Sequence, residues 1–211
     1  MGYRIILAAL FCALVLLANL SAGQQDKYRS GAINTRAGLL LVSNDPDNWY
    51  TLEIKGSDVR PTSTKPKVFN VDGMFLQVVT AKISKFLREQ EKRPVDDKAI
   101  LQAHRDWEAK YAQGNYQDKL VIESSWRKLD SGKDALLWKY NVPEGTRTNV
   151  KKQIYLTVVK GDYVLMLGGI VTDDIKEEDS LKLLLTTISS LKVSDKPIDF
   201  DQLQESIRRA A

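Results

Sequence analysis

The sequence predicts an α+β domain: a mostly antiparallel sheet of six to seven strands sandwiched by helices. Three observations carry this reading. Segments with the two-residue period of strands come in consecutive pairs joined by turn dipeptides, Asp72-Gly73 and Gly161-Asp162. Only two long segments have helical period, one after Pro94 and one around Leu181 to Leu191, so strands and helices do not alternate as in a parallel α/β fold. The strands around Gly161 are apolar on both faces, which requires cover on both sides.

Composition fits such a domain. The chain has 211 residues, 43% hydrophobic and 27% charged, with 12 Gly and 6 Pro. A single domain of this size buries roughly 70% of its unfolded surface, so no disulfide framework is required. The 31 basic and 27 acidic residues give a net charge of +4, scattered rather than gathered into a stripe. That distribution argues against a nucleic-acid partner.

Residues 1–23 differ from the rest. Arg4 is their one charge, and the apolar run from Ile5 to Ala18 leads to the small residues Ser21, Ala22 and Gly23. This is the pattern of a cleavable signal peptide, with a mature start at Gln24. The run is short for a membrane span, which needs about 20 apolar residues, so the mature chain is expected not to cross a membrane. The single cysteine, Cys12, lies inside the leader. The mature chain then has no cysteine and no Asn-x-Ser/Thr site, which favours the bacterial periplasm, or secretion from bacteria, over a eukaryotic secretory route.

Residues 24–48 read as a flexible N-terminal tether with a short apolar strand at Leu39 to Val42, 49–195 as the domain, and 196–211 as a tail with a short helix at Phe200, Leu203 and Ile207. Within the domain, Tyr50, Leu52 and Ile54 alternate with polar residues as in a half-buried strand. The Asp72-Gly73 turn pairs Val71 with Met74 and Phe69 with Leu76. After Pro94, Asp96 is the N-cap of a helix over 97–113, stapled by Val95 and Ile100 and closed by Gly114. Its apolar stripe is Ile100, His104, Trp107 and Tyr111, with Leu101 and Ala103 beside it. A three-residue loop, Ser131-Gly132-Lys133, pairs Trp126 with Trp138 and keeps one face of the 120–142 hairpin apolar. Gly161-Asp162 aligns Val159 with Val164 and Leu156 with Leu167, and sets Tyr155 over Gly168. A helix carrying Leu181, Leu184, Leu185, Ile188 and Leu191 closes the domain, with Glu177, Glu178 and Asp179 complementing the dipole at its start.

From Trp49 to Asp195 this order resembles the PsbP/DcrB-like family. The resemblance is carried by the hairpin KKQIYLTVVKGDYVLMLGGIVTD and the helix end LLTTISSLKVSD. It implies a PsbP-like sandwich, export, and a role in binding or assisting other proteins without enzyme activity. It transfers no site residue.

The residues themselves offer one site. His104 and Glu108 stand one helical turn apart, and Trp107, Tyr111, Trp126, Trp138 and Tyr140 could line an aromatic pocket between the 97–113 helix and the sheet. The alternative is that these side chains are core, since aromatic cross-strand pairs stabilise sheets by themselves. One histidine without cysteine does not complete a zinc shell, and no cofactor is expected. Neither a Gly-x-Ser-x-Gly elbow nor a phosphate loop is present. The expected function is therefore an exported, non-enzymatic domain binding or assisting a protein partner in the bacterial envelope. The alternatives are a carrier of a small apolar molecule or lipid, and a hydrolase with an unrecognised acid pair.

Overall fold

The computed structural model describes residues 27–62, 67–87, 96–146 and 148–210. The leader and Val95 lie outside them. Six strands come first: β1 (Gly31–Thr35), β2 (Gly38–Asp45), β3 (Asn48–Lys55), β4 (Val59–Pro61), β5 (Val68–Val71) and β6 (Met74–Lys82). Helix α1 (Asp97–Gln113) precedes β7 (Glu123–Lys128), β8 (Asp134–Asn141), β9 (Lys152–Lys160) and β10 (Tyr163–Val171). Helix α2 (Glu177–Ser189), β11 (Lys192–Val193) and α3 (Phe200–Ala210) complete the order.

All pairings are antiparallel. A seven-stranded sheet runs β4-β5-β6-β10-β9-β8-β7, and a smaller one runs β1-β2-β3-β11. The main core lies between them and under α2: Leu52 and Ile54 of β3 meet Leu76, Leu156, Leu165 and Leu184. A second core, with Leu101, Trp138, Val159 and Val164, fills the space between α1 and the other face of the large sheet. Val158 and Val159 thus enter different cores, as the doubly apolar strands require.

Several local expectations hold. The β5–β6 register pairs Val71 with Met74 and Phe69 with Leu76. The β9–β10 register pairs Val159 with Val164 and Leu156 with Leu167. Asp96 caps α1 by accepting a hydrogen bond from the Ala99 amide at 2.8 Å. Glu177 at the start of α2 joins Lys139, at 2.6 Å, and Lys152.

Five expectations are corrected. Most of the segment read as a flexible tether is the two strands β1 and β2. Leu39 and Leu41 face the main core, while Leu40 and Val42 join Ile33 and Phe200 in a third cluster, so the apolar run is a strand covered on both faces. Gly38 makes the sharp entry to β2: its φ is +137°, and a β-carbon would stand 2.2 Å from the Ile54 carbonyl oxygen. The tail is likewise part of the domain. Phe200 is 4% exposed, and the Asn44 amide group exchanges two 2.7 Å hydrogen bonds with the Ile198 backbone.

The β7–β8 turn sits one residue earlier than expected. Trp126 is opposite Leu136, and Ser124 is opposite Trp138. The three-residue loop is Asp130-Ser131-Gly132, closed by Leu129 N–H donating to the Lys133 carbonyl at 3.0 Å. Gly132 has φ +78° and belongs at the last loop position, where this hairpin type needs a left-handed residue. Leu129 is thereby buried in the main core. The shift is two positions along the strand pair, so each side chain keeps its face.

Gly114 ends α1 with φ −62°, without a left-handed cap. The inward stripe of α1 is also rotated: Leu101, His104 and Ala112 are buried, whereas Trp107 is 41% and Tyr111 is 75% exposed.

Candidate functional site

The second core holds the predicted aromatic residues that come together. Alternation on β8 aims Trp138 and Tyr140 at α1, and the β8–β9 register sets Trp138 opposite Tyr155 and Tyr140 opposite Gln153. Trp138 and Tyr155 stack with centroids 4.1 Å apart and planes 19° from parallel. On the next strand Gly168 faces Tyr155, and the absence of a side chain there lets the ring lie flat. Tyr116, from the segment after α1, approaches Tyr140 edge-on at 6.2 Å.

Helix α1 lowers His104 and Glu108 onto this floor. His104 is fully buried, with its Nε2 3.7 Å from Glu108 Oε1, beyond hydrogen-bond range. Phe86 meets the imidazole edge-on at 5.1 Å, and Trp107 covers its outer side at 6.0 Å. Burial drives the imidazole pKa down to about 4, because a charged ring finds no solvation there. Burial drives the Glu108 carboxyl up for the same reason. The Tyr155 phenol is pushed up to about 12 by burial, partly opposed by a hydrogen bond with Tyr140. Tyr140 is pushed up further by burial and by the neighbouring hydroxyls of Tyr155 and Tyr116. Tyr155 donates to the Gln153 side-chain oxygen. Among the described residues, neither His104 nitrogen nor Trp138 Nε1 has a hydrogen-bond partner.

Of the seven residues singled out from sequence, His104, Glu108, Trp138 and Tyr140 therefore share one locus. Trp107 forms only its outer rim, and Tyr111 points away. Trp126 does not stack on Trp138: it lies half-buried two positions along β7, with Lys98 Nζ 5.4 Å over its ring. Tyr155, Tyr116 and Phe86 are the members the sequence reading did not place in the site. Tyr155 carried a signal, the glycine opposite it. The other two are brought in by loops.

At neutral pH this locus holds a neutral His104 imidazole and the protonated phenols of Tyr140 and Tyr155. Among the described residues, no group of three or more His, Cys, Asp or Glu side chains is placed to hold a metal ion. The most voluminous of the described clefts, about 1110 Å³, lies elsewhere, between Asp118–Val121 and the 141–151 loop, and none of the seven residues lines it. What the helix offers outward is different. Trp107 and Tyr111, four residues apart on α1, are both exposed, with Phe86 6.1 Å from Trp107.

Fold and site together define an α+β domain of two antiparallel sheets, with an aromatic core under one helix and exposed aromatics on that helix's outer face. No protein-family model matches the chain, and no curated protein matches it. Among solved structures the chain is similar to cyanobacterial PsbP (CyanoP) from Synechocystis sp. PCC 6803, with a TM-score of 0.46 and 14% identity over 74% of this chain and 92% of that one. The resemblance read from the sequence is to the PsbP/DcrB-like family, and this structure is a PsbP. Among the described residues no helix is long and apolar enough to cross a membrane.

Proposed function

We propose that this chain is an exported, non-enzymatic domain that binds or assists a protein partner in the bacterial envelope, and that the outer face of α1 is the contact surface. The observation that carries the reading is the exposure of Trp107 and Tyr111 on the helix whose inner side packs on Trp138, itself 1% exposed. Large aromatic side chains held on a rigid helix lose little entropy on association and are the residues that dominate protein interfaces. A carrier of small apolar molecules would instead need an enclosed space among those rings.

Native mass spectrometry on protein exported with its own leader and purified without denaturation tests this. A mature start at Gln24, no small-molecule adduct, and a second protein retained at low salt support the proposal. A stoichiometric small adduct would favour the carrier, and a retained leader would overturn export and cleavage.

A further inference from the structure

The two edges of the seven-stranded sheet differ. One is β4, three residues long and ending on Pro61, which has no N–H to offer. The other is β7, Glu-Ser-Ser-Trp-Arg-Lys, of which five residues are exposed and only Trp126 is half-buried. Its inner side pairs with β8, and among the described residues no strand pairs with its outer side. Such an edge presents a row of unpaired backbone donors and acceptors to any strand that can match it.

We propose that a second copy of this chain matches it, the two β7 strands pairing antiparallel across a two-fold axis at Ser125. The axis must lie along the sheet normal, so each residue meets one whose side chain is on the same face. This permits three central registers. With Ser125 on the axis, Glu123 meets the partner's Arg127 twice, and Ser124 meets the partner's Trp126. With Trp126 on the axis, Arg127 meets Ser125 and Lys128 meets Ser124. With Ser124 on the axis, Glu123 meets Ser125. Only the first register makes opposite-charge pairs, the cross-strand contacts that stabilise sheets.

The charges on β7 point the same way. Glu123, Ser125 and Arg127 share the face of Lys139, which holds Glu123 at 3.4 Å while leaving it 60% exposed. Arg127 has no carboxylate within ion-pair range among the described residues. The two-fold brings it one. Helix α1 reaches β7 through Arg105, which donates to Ser124 Oγ at 3.1 Å, and through Lys98 over Trp126, whereas the proposed function rests on Trp107 and Tyr111, so the dimer is tested separately from it.

Sedimentation velocity and disulfide trapping test it. The wild-type chain should form a dimer whose dissociation constant rises about tenfold or more in R127E, where Glu meets Glu, and returns toward wild type in E123R/R127E. In a C12S background, S125C should form a disulfide-linked dimer on mild oxidation and S124C, displaced from the axis, should not. The cysteine pair leaves the charges untouched, so the test survives a folding failure in the charge variants. A chain that sediments as a monomer at every concentration up to about 1 mM overturns the proposal. So does a dimer that S125C fails to trap.

Discussion

The ring of Tyr155 lies over Gly168, its Cε1 3.2 Å from the point where a β-carbon would stand. Trp138 stacks on the same ring from β8, with centroids 4.1 Å apart. Replacing the glycine must therefore displace a stack rather than a single side chain. Gly168→Ala should cost about 1–3 kcal/mol, the range for overpacking a filled core, and Gly168→Val more. Urea denaturation followed by tryptophan fluorescence checks this. An alanine variant as stable as wild type would mean that the stack is loose.

Phe200 makes the C-terminal segment structural. It sits against Ile33, Leu40 and Val42, and its ring comes within 2.9 Å of where a Gly31 β-carbon would be. Phe200→Ala should lower stability by about 3–5 kcal/mol, as expected for a buried phenylalanine. Deleting residues 196–211 should do at least as much, since it also removes the Asn44–Ile198 bonds. Thermal unfolding of both variants is the check, and an unchanged midpoint would restore the reading of this segment as a tail.

Acid should loosen the α1 layer through His104. Its folded pKa of about 4 lies below the unfolded value of about 6.5. The unfolded state thus binds the proton more readily, and stability is complete above about pH 6.5 and falls as the pH drops toward 4. The full effect is about 3 kcal/mol. Glu108, with its carboxyl pKa raised, acts in the opposite sense: it favours the fold at low pH and loses that advantage as it ionises. His104→Leu removes the first effect and keeps the second. Between pH 6.5 and 4 its melting temperature should fall less than that of wild type, and parallel slopes would show that the imidazole is not buried in solution.

The β7–β8 turn gives a separate test. Gly132→Ala forces a side chain into φ +78° and should destabilise by about 1 kcal/mol, whereas Gly132→Asn should be milder. Leu129→Ala should cost about 2 kcal/mol or more, because that residue is core rather than strand end. If Leu129→Ala were neutral, the later turn read from the sequence would be the better one.

These elements show where sequence sufficed. The Asp96 cap, the span of α1 and the β9–β10 register rest on neighbours within a few residues, so local chemistry specifies them. The strands β1 and β2 escape that reading because what buries them, Phe200 and β3, is remote or looks like tail. The β7–β8 turn was misplaced by one residue because the side-chain pattern sets the face, while the φ of Gly132 sets the position. In the site, Tyr155 meets Trp138 through a pairing across the long 142–151 loop, whose length fixes no register. Residue type alone suggested Trp107 and Tyr111 for the inner face of α1. Packing on β8 kept His104, drew in Leu101 from beside the stripe and added Ala112.

The central claim is that the outer face of α1 meets a protein. A photo-crosslinking residue at Tyr111, in the chain exported to the envelope, tests it most directly, with the same residue at exposed Val193 as the control. The account predicts one discrete protein adduct from position 111 that disappears with Trp107→Ala and is absent from position 193. Equal, diffuse labelling from both positions, or labelling indifferent to Trp107, would contradict it.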